Sequence, residues 1–515
     1  MTHHFCLFCF LNARHGTPRF TFPTPMTTQE TQPGCQDPSR YKKDEYDAPG
    51  DSDVESFAGK VAAEDEHAIK YRTCSWQKAL TWRLRQLHCS SPSISASLSY
   101  LSPGVCIPAA NPVNFLKSYS VLGLVPGIIV TFAVAGTVLY TSLVLWRFCL
   151  KHPDILDVCD IGQKLFWDSP IAYEVTGVFF LLNNTFIQAL HILVGAELLN
   201  TLTNHATCSI VFSAITVVIC FFISLPRTLA QLSRLGIFSA VTMGLAVLLA
   251  IIFAGIQDHP AGYIAGAEPL VTVLPVKGTS YVVGMSAFLN ITYTFVGQIT
   301  LPSFIAEMKD PREFPKALWA VTIAELVVFT LCGALMYHFI GNQYMVAPAF
   351  GSLTPLYKKI AFSFAIPTIL YLGALYSSVS SRYIFFRIFR NSHHRHSNTL
   401  IGWATWAGIV GATWVLAFVI AEVIPFFSDM LSLMSSLFDC WFGFIFWGMA
   451  YLTLYPGALK WEGPWRTLET LFNYFLILLG LYILVAGTYT SVQSIIDSYA
   501  ANAVGTAFSC ASNGI

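Results

Sequence analysis

The sequence predicts an all-α integral membrane protein with ten clear membrane-spanning helices. Hydrophobic residues make up 54% of the 515 residues and charged residues only 11%, and the mean hydropathy is +0.57. From Ser118 onward the chain is a series of apolar runs, each close to the roughly 20 residues that a helix needs to cross the hydrocarbon core. A lipid bilayer is therefore a predicted partner. The 29 basic and 29 acidic residues balance, which gives no reason to expect a nucleic-acid partner.

The first 117 residues differ from the rest of the chain. Residues 1–85 are polar and lack helical or strand periodicity, which predicts a disordered, cytoplasmic tail. Met26 is a second candidate start, and with that start residues 1–25 would not belong to the native protein. Residues 86–117 form an atypical segment, because seven serines and four prolines replace a sustained apolar run. The transmembrane domain is predicted over 118–500, followed by a short extracytoplasmic tail, 501–515.

Ten apolar runs give the predicted spans. They are Val121–Trp146, Val175–Leu198, Cys208–Leu225, Leu235–Ile256, Tyr281–Ala306, Ala317–Ile340, Ile360–Ser381, Leu400–Ala421, Met430–Leu454 and Leu471–Ile496. Alternate loops carry fourteen Lys and Arg on one side and four on the other, so the richer side is predicted to be cytoplasmic. A cytoplasmic N-terminus then requires an eleventh span, and 86–117 is where it would lie.

The fifth of these spans carries a predicted break. Residues Gly278 to Ala306 hold no charge over 29 positions, but Gly297, Gln298 and Pro302 interrupt the run. Glycine holds a helix poorly and proline lacks an N–H, so the backbone is predicted to open there. Open backbone at membrane depth is tolerated where it lines a cavity or is buried in protein, as at the substrate sites of many transporters.

Polar and ionisable side chains inside spans are functional candidates by default. The ionisable ones are His191, Glu197, Glu325, His338, Glu422 and Asp439, of which His191 and Glu325 lie deepest in their predicted spans. Asn183 and Phe186 share a helix with His191 and face the interior, as pocket lining or as interhelical contacts. Glu307, close to Lys309 and Arg312, is a candidate for a salt bridge at a gate. No metal site is predicted, since the isolated Cys6–Cys9 pair lacks a second pair of ligands.

Several segments carry a resemblance to a known family. They are YTFVGQITLPSFIAEMKDPREFPKAL (Tyr293 to Leu318), YRTCSWQKA (Tyr71 to Ala79), SVLGLVPGII (Ser120 to Ile129), LNTLTNHATCSIVF (Leu199 to Phe212), LPRTL (Leu225 to Leu229) and LYSSVSSRYIFFRIFR (Leu375 to Arg390). The chain resembles the amino acid/auxin permease family, and within it the fungal neutral amino-acid permease branch. That resemblance implies eleven helices, a cytoplasmic N-terminus and an inverted five-plus-five repeat of LeuT type. Residues 86–117 depart from the first helix of the family.

The resemblance also implies site residues. In LeuT-type folds the unwound sixth helix contacts the substrate amino group, which corresponds here to Thr292, Phe295, Gly297 and Gln298. Hydroxyls near the end of the eighth helix hold sodium in related folds, which makes Ser377 and Ser378 candidates for ion coupling, although small residues also serve close helix packing. His191 and Glu325 are the candidates for proton coupling, because a buried imidazole or carboxylate can titrate near neutrality.

The predicted function is secondary active transport, by proton-coupled symport of neutral amino acids that are bulky and apolar or aromatic. The chain lacks a GxxxxGK phosphate loop and the spacing of an enzyme active site, so it is predicted to be neither a pump nor an enzyme and to need no cofactor. Proton coupling, rather than sodium coupling, follows from the resemblance. The plasma membrane is the expected location. The alternatives are a non-transporting amino-acid receptor, a vacuolar amino-acid exporter, and an inactive product of a damaged first helix.

Overall fold

The computed structural model describes residues 112–514, except 228, 309, 391, 396, 425, 457–462 and 502–506. The side chains at 112–116, 229–234, 237 and 307 also fall outside the description. The predicted tail 1–85 and residues 86–111 of the atypical segment therefore lie outside the described residues, and so does the carboxylate of Glu307.

The described ranges contain sixteen α-helices, numbered here in chain order. They are α1 Pro112–Leu122, α2 Leu124–Lys151, α3 Val158–Leu165, α4 Pro170–Thr203, α5 Ser209–Ser224, α6 Leu229–Ile256, α7 Tyr281–Phe295, α8 Leu301–Glu307, α9 Phe314–Tyr344, α10 Pro355–Ser363, α11 Ile366–Ile388, α12 Leu400–Val423, α13 Phe427–Met434, α14 Phe446–Leu454, α15 Pro464–Tyr482 and α16 Thr488–Ala500. Two π-helical stretches, Ser435–Ile445 and Ile483–Gly487, make α13–α14 and α15–α16 continuous.

These helices agree with a multi-span membrane protein. Within the described residues, seven helical stretches are long and apolar enough to cross a bilayer, and an eighth results if α10 and α11 are joined across their 44° bend. Each predicted span falls largely on helical residues. The helix α5 has only 16 residues, and the span Tyr281–Ala306 is divided between α7 and α8.

The first predicted span begins later than its apolar run suggests. Gly123 separates α1 from α2 with a φ of +81°, a conformation that favours glycine. A Cβ at this position would lie 2.5 Å from the carbonyl carbon of Leu274. The next amides, of Leu124 and Val125, donate to the carbonyl oxygens of Thr272 and Val273 at 3.1 Å each. The long loop before α7 thus fixes the start of α2.

The central helix of the bundle is α4. In its most apolar stretch 72% of the residues are buried, against 33% in the corresponding stretch of α12. It begins with Pro170 in its first turn and ends at Asn204, whose left-handed conformation closes the last turn. Because α3, α5, α11 and α12 pack around it, its polar side chains from Asn183 to His191 are buried inside the bundle.

A disulfide joins two distant parts of the chain. Cys208, at the start of α5, is bonded to Cys510, 302 residues later. This pair is not predicted from the sequence, because the cysteines lack the spacing of a disulfide framework. The other cysteines of the described ranges, Cys149, Cys159, Cys220, Cys332 and Cys440, are buried thiols.

Candidate functional site

The predicted break in the fifth span is present. The helix α7 ends at Phe295, Val296 adopts an extended conformation, and α8 begins at Leu301. Pro302 lies in the first turn of α8, where its missing N–H disrupts no helical hydrogen bond. Gly297 and Gln298 form the open segment, so proline defines where the second half-helix begins and does not itself open the backbone.

The break leaves backbone groups without intramolecular partners. The amide of Val296 still donates to the carbonyl oxygen of Thr292 at 3.2 Å, and the amides of Thr300 and Leu301 close the next turn. Around these bonds, five carbonyl groups and three amides form no hydrogen bond with any other described residue. They are the carbonyls of Tyr293, Thr294, Phe295, Val296 and Ile299 and the amides of Gly297, Gln298 and Ile299. Buried backbone groups are nearly always paired, so this segment can bind a polar ligand or water.

Gln298 links the break to α2. Its Nε2 donates to Thr141 Oγ1 at 2.7 Å and to the carbonyl oxygen of Val138 at 3.4 Å. The side chain is fully buried, and its Oε1 has no hydrogen-bond partner among the described residues. The hydroxyl of Thr292, in contrast, donates to the carbonyl of Phe288 in its own helix at 3.0 Å. Gln298 therefore positions the open segment and still has one acceptor free.

A small cavity adjoins the break. The space that the centre of a water molecule can occupy is about 10 Å³, which is close to the volume of a single water site. Its polar lining comes from Asn183, Tyr293, Gly297, Tyr376 and Asp439, and its apolar lining from Ile187, Val296, Ile299 and Phe442. The cavity is thus formed by α4, the end of α7, the break, α11 and the π-helical stretch Ser435–Ile445. Two predicted site residues, Asn183 and Gly297, line it.

Asp439 is the acidic side chain of this lining. Its side chain is 5% exposed, and Oδ2 has no hydrogen-bond partner in the described part of the chain. His191 and Glu325, the residues predicted from the sequence to couple protons, do not line the cavity. The available signal was an acid in the middle of a long apolar run, SSLFDCWFGF (Ser435 to Phe444).

The other predicted residues lie around this centre. His191 is one turn beyond the cavity on α4, with Nδ1 donating to the carbonyl of Ile187 at 2.7 Å. Glu325 is buried on α9. The ring of Phe295 packs edge-to-face on Phe329 with centroids 5.3 Å apart, and Phe186 packs on Phe438 at 5.8 Å. These aromatic contacts support the walls of the bundle and do not form the lining.

The two predicted serines follow Tyr376 on α11. Ser377 Oγ lies 3.2 Å from Thr413 Oγ1 on α12, and Ser378 Oγ donates to the carbonyl of Ala374 at 2.9 Å. Both side chains are buried. In the structure these hydroxyls are thus bonded to helix α12 and to their own helix.

A larger cavity lies near the disulfide. It offers about 440 Å³ to the centre of a water molecule and is lined by Lys117, Glu197 and Asp429, among others, and by the tail residues 512–514. Asp429 accepts hydrogen bonds of 2.7 Å from Ser494 Oγ and from Ser498 Oγ. Ser209 Oγ donates to the carbonyl of Ala511 at 2.5 Å, which together with the disulfide holds the tail against α5.

Comparison with known proteins indicates the class of the chain. The family described as "Transmembrane amino acid transporter protein" matches residues 117–493. The N amino acid transport system protein of Neurospora crassa is 34% identical over 408 residues, which is 78% of this chain and 85% of that protein. A transmembrane transporter of Gibberella moniliformis is 28% identical over 471 residues, 91% of this chain and 94% of that protein.

Solved structures are also similar, among them the crystal structure of MhsT in complex with L-phenylalanine. It is 13% identical in sequence and superimposes with a TM-score of 0.48, covering 78% of this chain and 97% of that one.

Proposed function

Because the chain belongs to the family of transmembrane amino acid transporter proteins, we propose that it is a secondary transporter that carries neutral amino acids together with protons. The observation that supports this most directly is the open segment between α7 and α8, with unpaired backbone groups beside a cavity in the bundle. Transporters with broken helices bind their substrates at such positions.

The lining suits an amino acid with an apolar side chain. Carbonyl oxygens accept hydrogen bonds from an ammonium group, and those of Tyr293, Thr294 and Phe295 have no other partner among the described residues. Ile187, Ile299 and Phe442 provide apolar surface in the same cavity. The present volume is far too small for an amino acid, so the surrounding helices must separate during transport.

The proposed topology has eleven spans, a cytoplasmic N-terminus and two inverted repeats of five helices. In that arrangement Cys208 and Cys510 lie on the extracytoplasmic side, where disulfides persist. The loops rich in Lys and Arg then face the cytoplasm, in agreement with the positive-inside rule. The proposed location is the plasma membrane.

The experiment is uptake of labelled phenylalanine, leucine and glycine by cells that lack their own amino-acid permeases and express the full chain. External pH is stepped with and without a proton uncoupler, and a fluorescent fusion reports the membrane. We expect accumulation that increases at acid pH, is abolished by the uncoupler and favours phenylalanine and leucine. Uptake that depends on a sodium gradient and is insensitive to the uncoupler would contradict proton coupling.

The same experiment separates the alternatives. Ligand binding without accumulation, in protein confirmed at the surface, would indicate a receptor. Fluorescence at the vacuole with efflux from it would indicate an exporter. Neither binding nor uptake by surface-localised protein would indicate that residues 86–117 do not replace a first helix.

A further inference from the structure

We propose that Asp439 binds the transported proton and couples it to the amino acid. This rests on the proposed symport and goes further by assigning the coupling group to the π-helical stretch Ser435–Ile445, not to His191 or Glu325. The carboxylate lines the same cavity as the open segment, is 95% buried, and leaves Oδ2 without a hydrogen bond from any described residue.

The backbone around Asp439 is π-helical, a conformation that occurs often at functional sites. The stretch Ser435–Ile445 is π-helical over 11 residues, within an otherwise α-helical span. Such stretches are uncommon. Gly443 lies beside Val296, with a Cβ at Gly443 falling 3.0 Å from Val296 Cγ2. The π-helical stretch and the break are therefore in direct contact.

Among the described residues that line the cavity, no cation compensates the carboxylate. The other titratable groups of this lining are the phenols of Tyr293 on α7 and Tyr376 on α11. The helix α4 contributes the amide of Asn183, with His191 two turns further along. The helix α15 approaches the stretch through Gly480, which is not titratable.

Other described polar groups on this span and near the break give Asp439 no countercharge. On the span itself, Asp429 is bonded to two serines, and Cys440 is a buried thiol. The helix α2 contacts the break through Thr141, which accepts the hydrogen bond from Gln298. An ionised Asp439 in this position is costly, because burial removes its hydration and the described lining offers no countercharge to replace it.

This arrangement links proton and substrate. Asp439 takes a proton from the outer solution and becomes neutral. Its hydroxyl can then donate a hydrogen bond to the carboxylate of the amino acid. The ionised form would repel that carboxylate. Because each ligand then favours the binding of the other by the same factor, the two bind together. On the inner side the amino acid leaves, and the proton passes from Asp439 to the cytoplasm, so that one proton crosses for each turnover.

The test uses the full chain in proteoliposomes, with a pH-sensitive dye inside and labelled amino acid outside. In the native protein we expect amino-acid addition to acidify the lumen and uptake to increase as external pH falls. Asp439→Asn should abolish the substrate-induced acidification and the uphill accumulation. It should preserve exchange of external label for internal unlabelled amino acid, with a flat pH profile, because the neutral amide mimics the protonated carboxyl.

Two further variants make the result specific. Asp429→Asn makes the same chemical change on the same span at a carboxylate that already has two partners, and it should leave acidification and pH profile as in the native protein. Asp439→Glu keeps a titratable group and should retain coupling with a shifted pH profile. A shift of this kind would not arise if Asp439 only supported the packing.

Three outcomes would overturn the inference. Persistent substrate-induced acidification in Asp439→Asn would show that another group carries the proton. If folded Asp439→Asn protein loses both exchange and accumulation, Asp439 holds the substrate itself. Absence of acidification and uphill uptake in the native protein would overturn the proposed symport, and this inference with it.

Discussion

Gln298, in the break between α7 and α8, donates a 2.7 Å hydrogen bond from Nε2 to Oγ1 of Thr141 on α2. This contact ties a segment without helical hydrogen bonds to an intact helix. It gives the open backbone a fixed position, which a substrate site requires, while the Oε1 of the same side chain has no partner among the described residues and remains an acceptor.

The first prediction concerns this contact. Gln298→Ala should reduce uptake about tenfold or more while surface delivery is retained, because an open segment that loses a buried hydrogen bond of about 1–3 kcal/mol is no longer positioned. Thr141→Val removes only the acceptor and should have a smaller effect. If the two act as a pair, the double variant will be no worse than Gln298→Ala alone. Native uptake kinetics in Gln298→Ala would exclude the break as the site.

The second prediction concerns the disulfide. On intact cells, a membrane-impermeant maleimide should label Cys208 and Cys510 only after reduction, since both sulfurs are bonded and are proposed to lie outside. In the Cys510→Ser variant the thiol of Cys208 is free and should be labelled without reductant. The variant with serine at both positions gives the background labelling of the other cysteines. Labelling that requires permeabilised cells would reverse the proposed topology. Loss of the bond should also lower the stability by about 2–4 kcal/mol.

The third prediction concerns pH and the loop between α2 and α4. Asp157 caps α3 by accepting from the amide of Cys159 at 2.8 Å, and Asp160 completes the capping box. Burial, and then the neighbouring Asp160 carboxylate, raise the pKa of Asp157 above its usual range. At pH values between about 4 and the raised pKa, the Asp157 carboxyl thus retains a proton in the folded state that it has released in the unfolded state.

Because the folded state holds this proton more tightly, a rise in pH lowers the stability. The contribution of Asp157 to stability is present below about pH 4 and is lost as the pH rises through the raised pKa. Asp157→Asn keeps a capping oxygen and cannot titrate. We expect the Tm of the purified native protein, relative to that of the variant, to fall between about pH 4 and pH 7. A constant difference would contradict the raised pKa.

The fourth prediction concerns close helix packing. A Cβ at Gly480 on α15 would lie 2.9 Å from the carbonyl oxygen of Cys440 and 2.5 Å from Ile445 Cγ1. Gly480→Ala should therefore destabilise the protein by about 1–3 kcal/mol, the usual effect of overpacking. Gly408 on α12 is exposed, and a Cβ there would meet no neighbouring side chain or helix of the described chain within 4 Å. Gly408→Ala should thus be neutral or stabilising by about 0.5–1 kcal/mol. Equal effects in thermal unfolding would argue against the close approach of α15.

The sequence predicted local features well. The break at Gly297 followed from residues that hold a helix poorly, and the helical runs followed from the absence of charge over lengths that can cross a bilayer. These properties depend on neighbours in the chain, as does the start of α8, which has Pro302 in its first turn. The membership of the amino acid transporter family, already suggested by the motifs, was confirmed by the comparisons.

The choice among the buried ionisable residues could not be made from the sequence. His191, Glu325 and Asp439 each lie in an apolar run, and periodicity alone does not say which of them faces the break. Asp439 reaches the cavity because a π-helical stretch packs on Val296 through Gly443, a contact between residues far apart in the chain.

By itself, then, the sequence determined a helical membrane protein with one interrupted span, because hydrophobicity, charge and helix-breaking residues act locally. The tertiary structure alone decided that Asn183, Gly297, Tyr376 and Asp439 share one cavity, and that Cys208 meets Cys510 across 302 residues. The physical reason is that helices far apart in the chain pack by the shapes of their surfaces, which no local pattern of residues encodes.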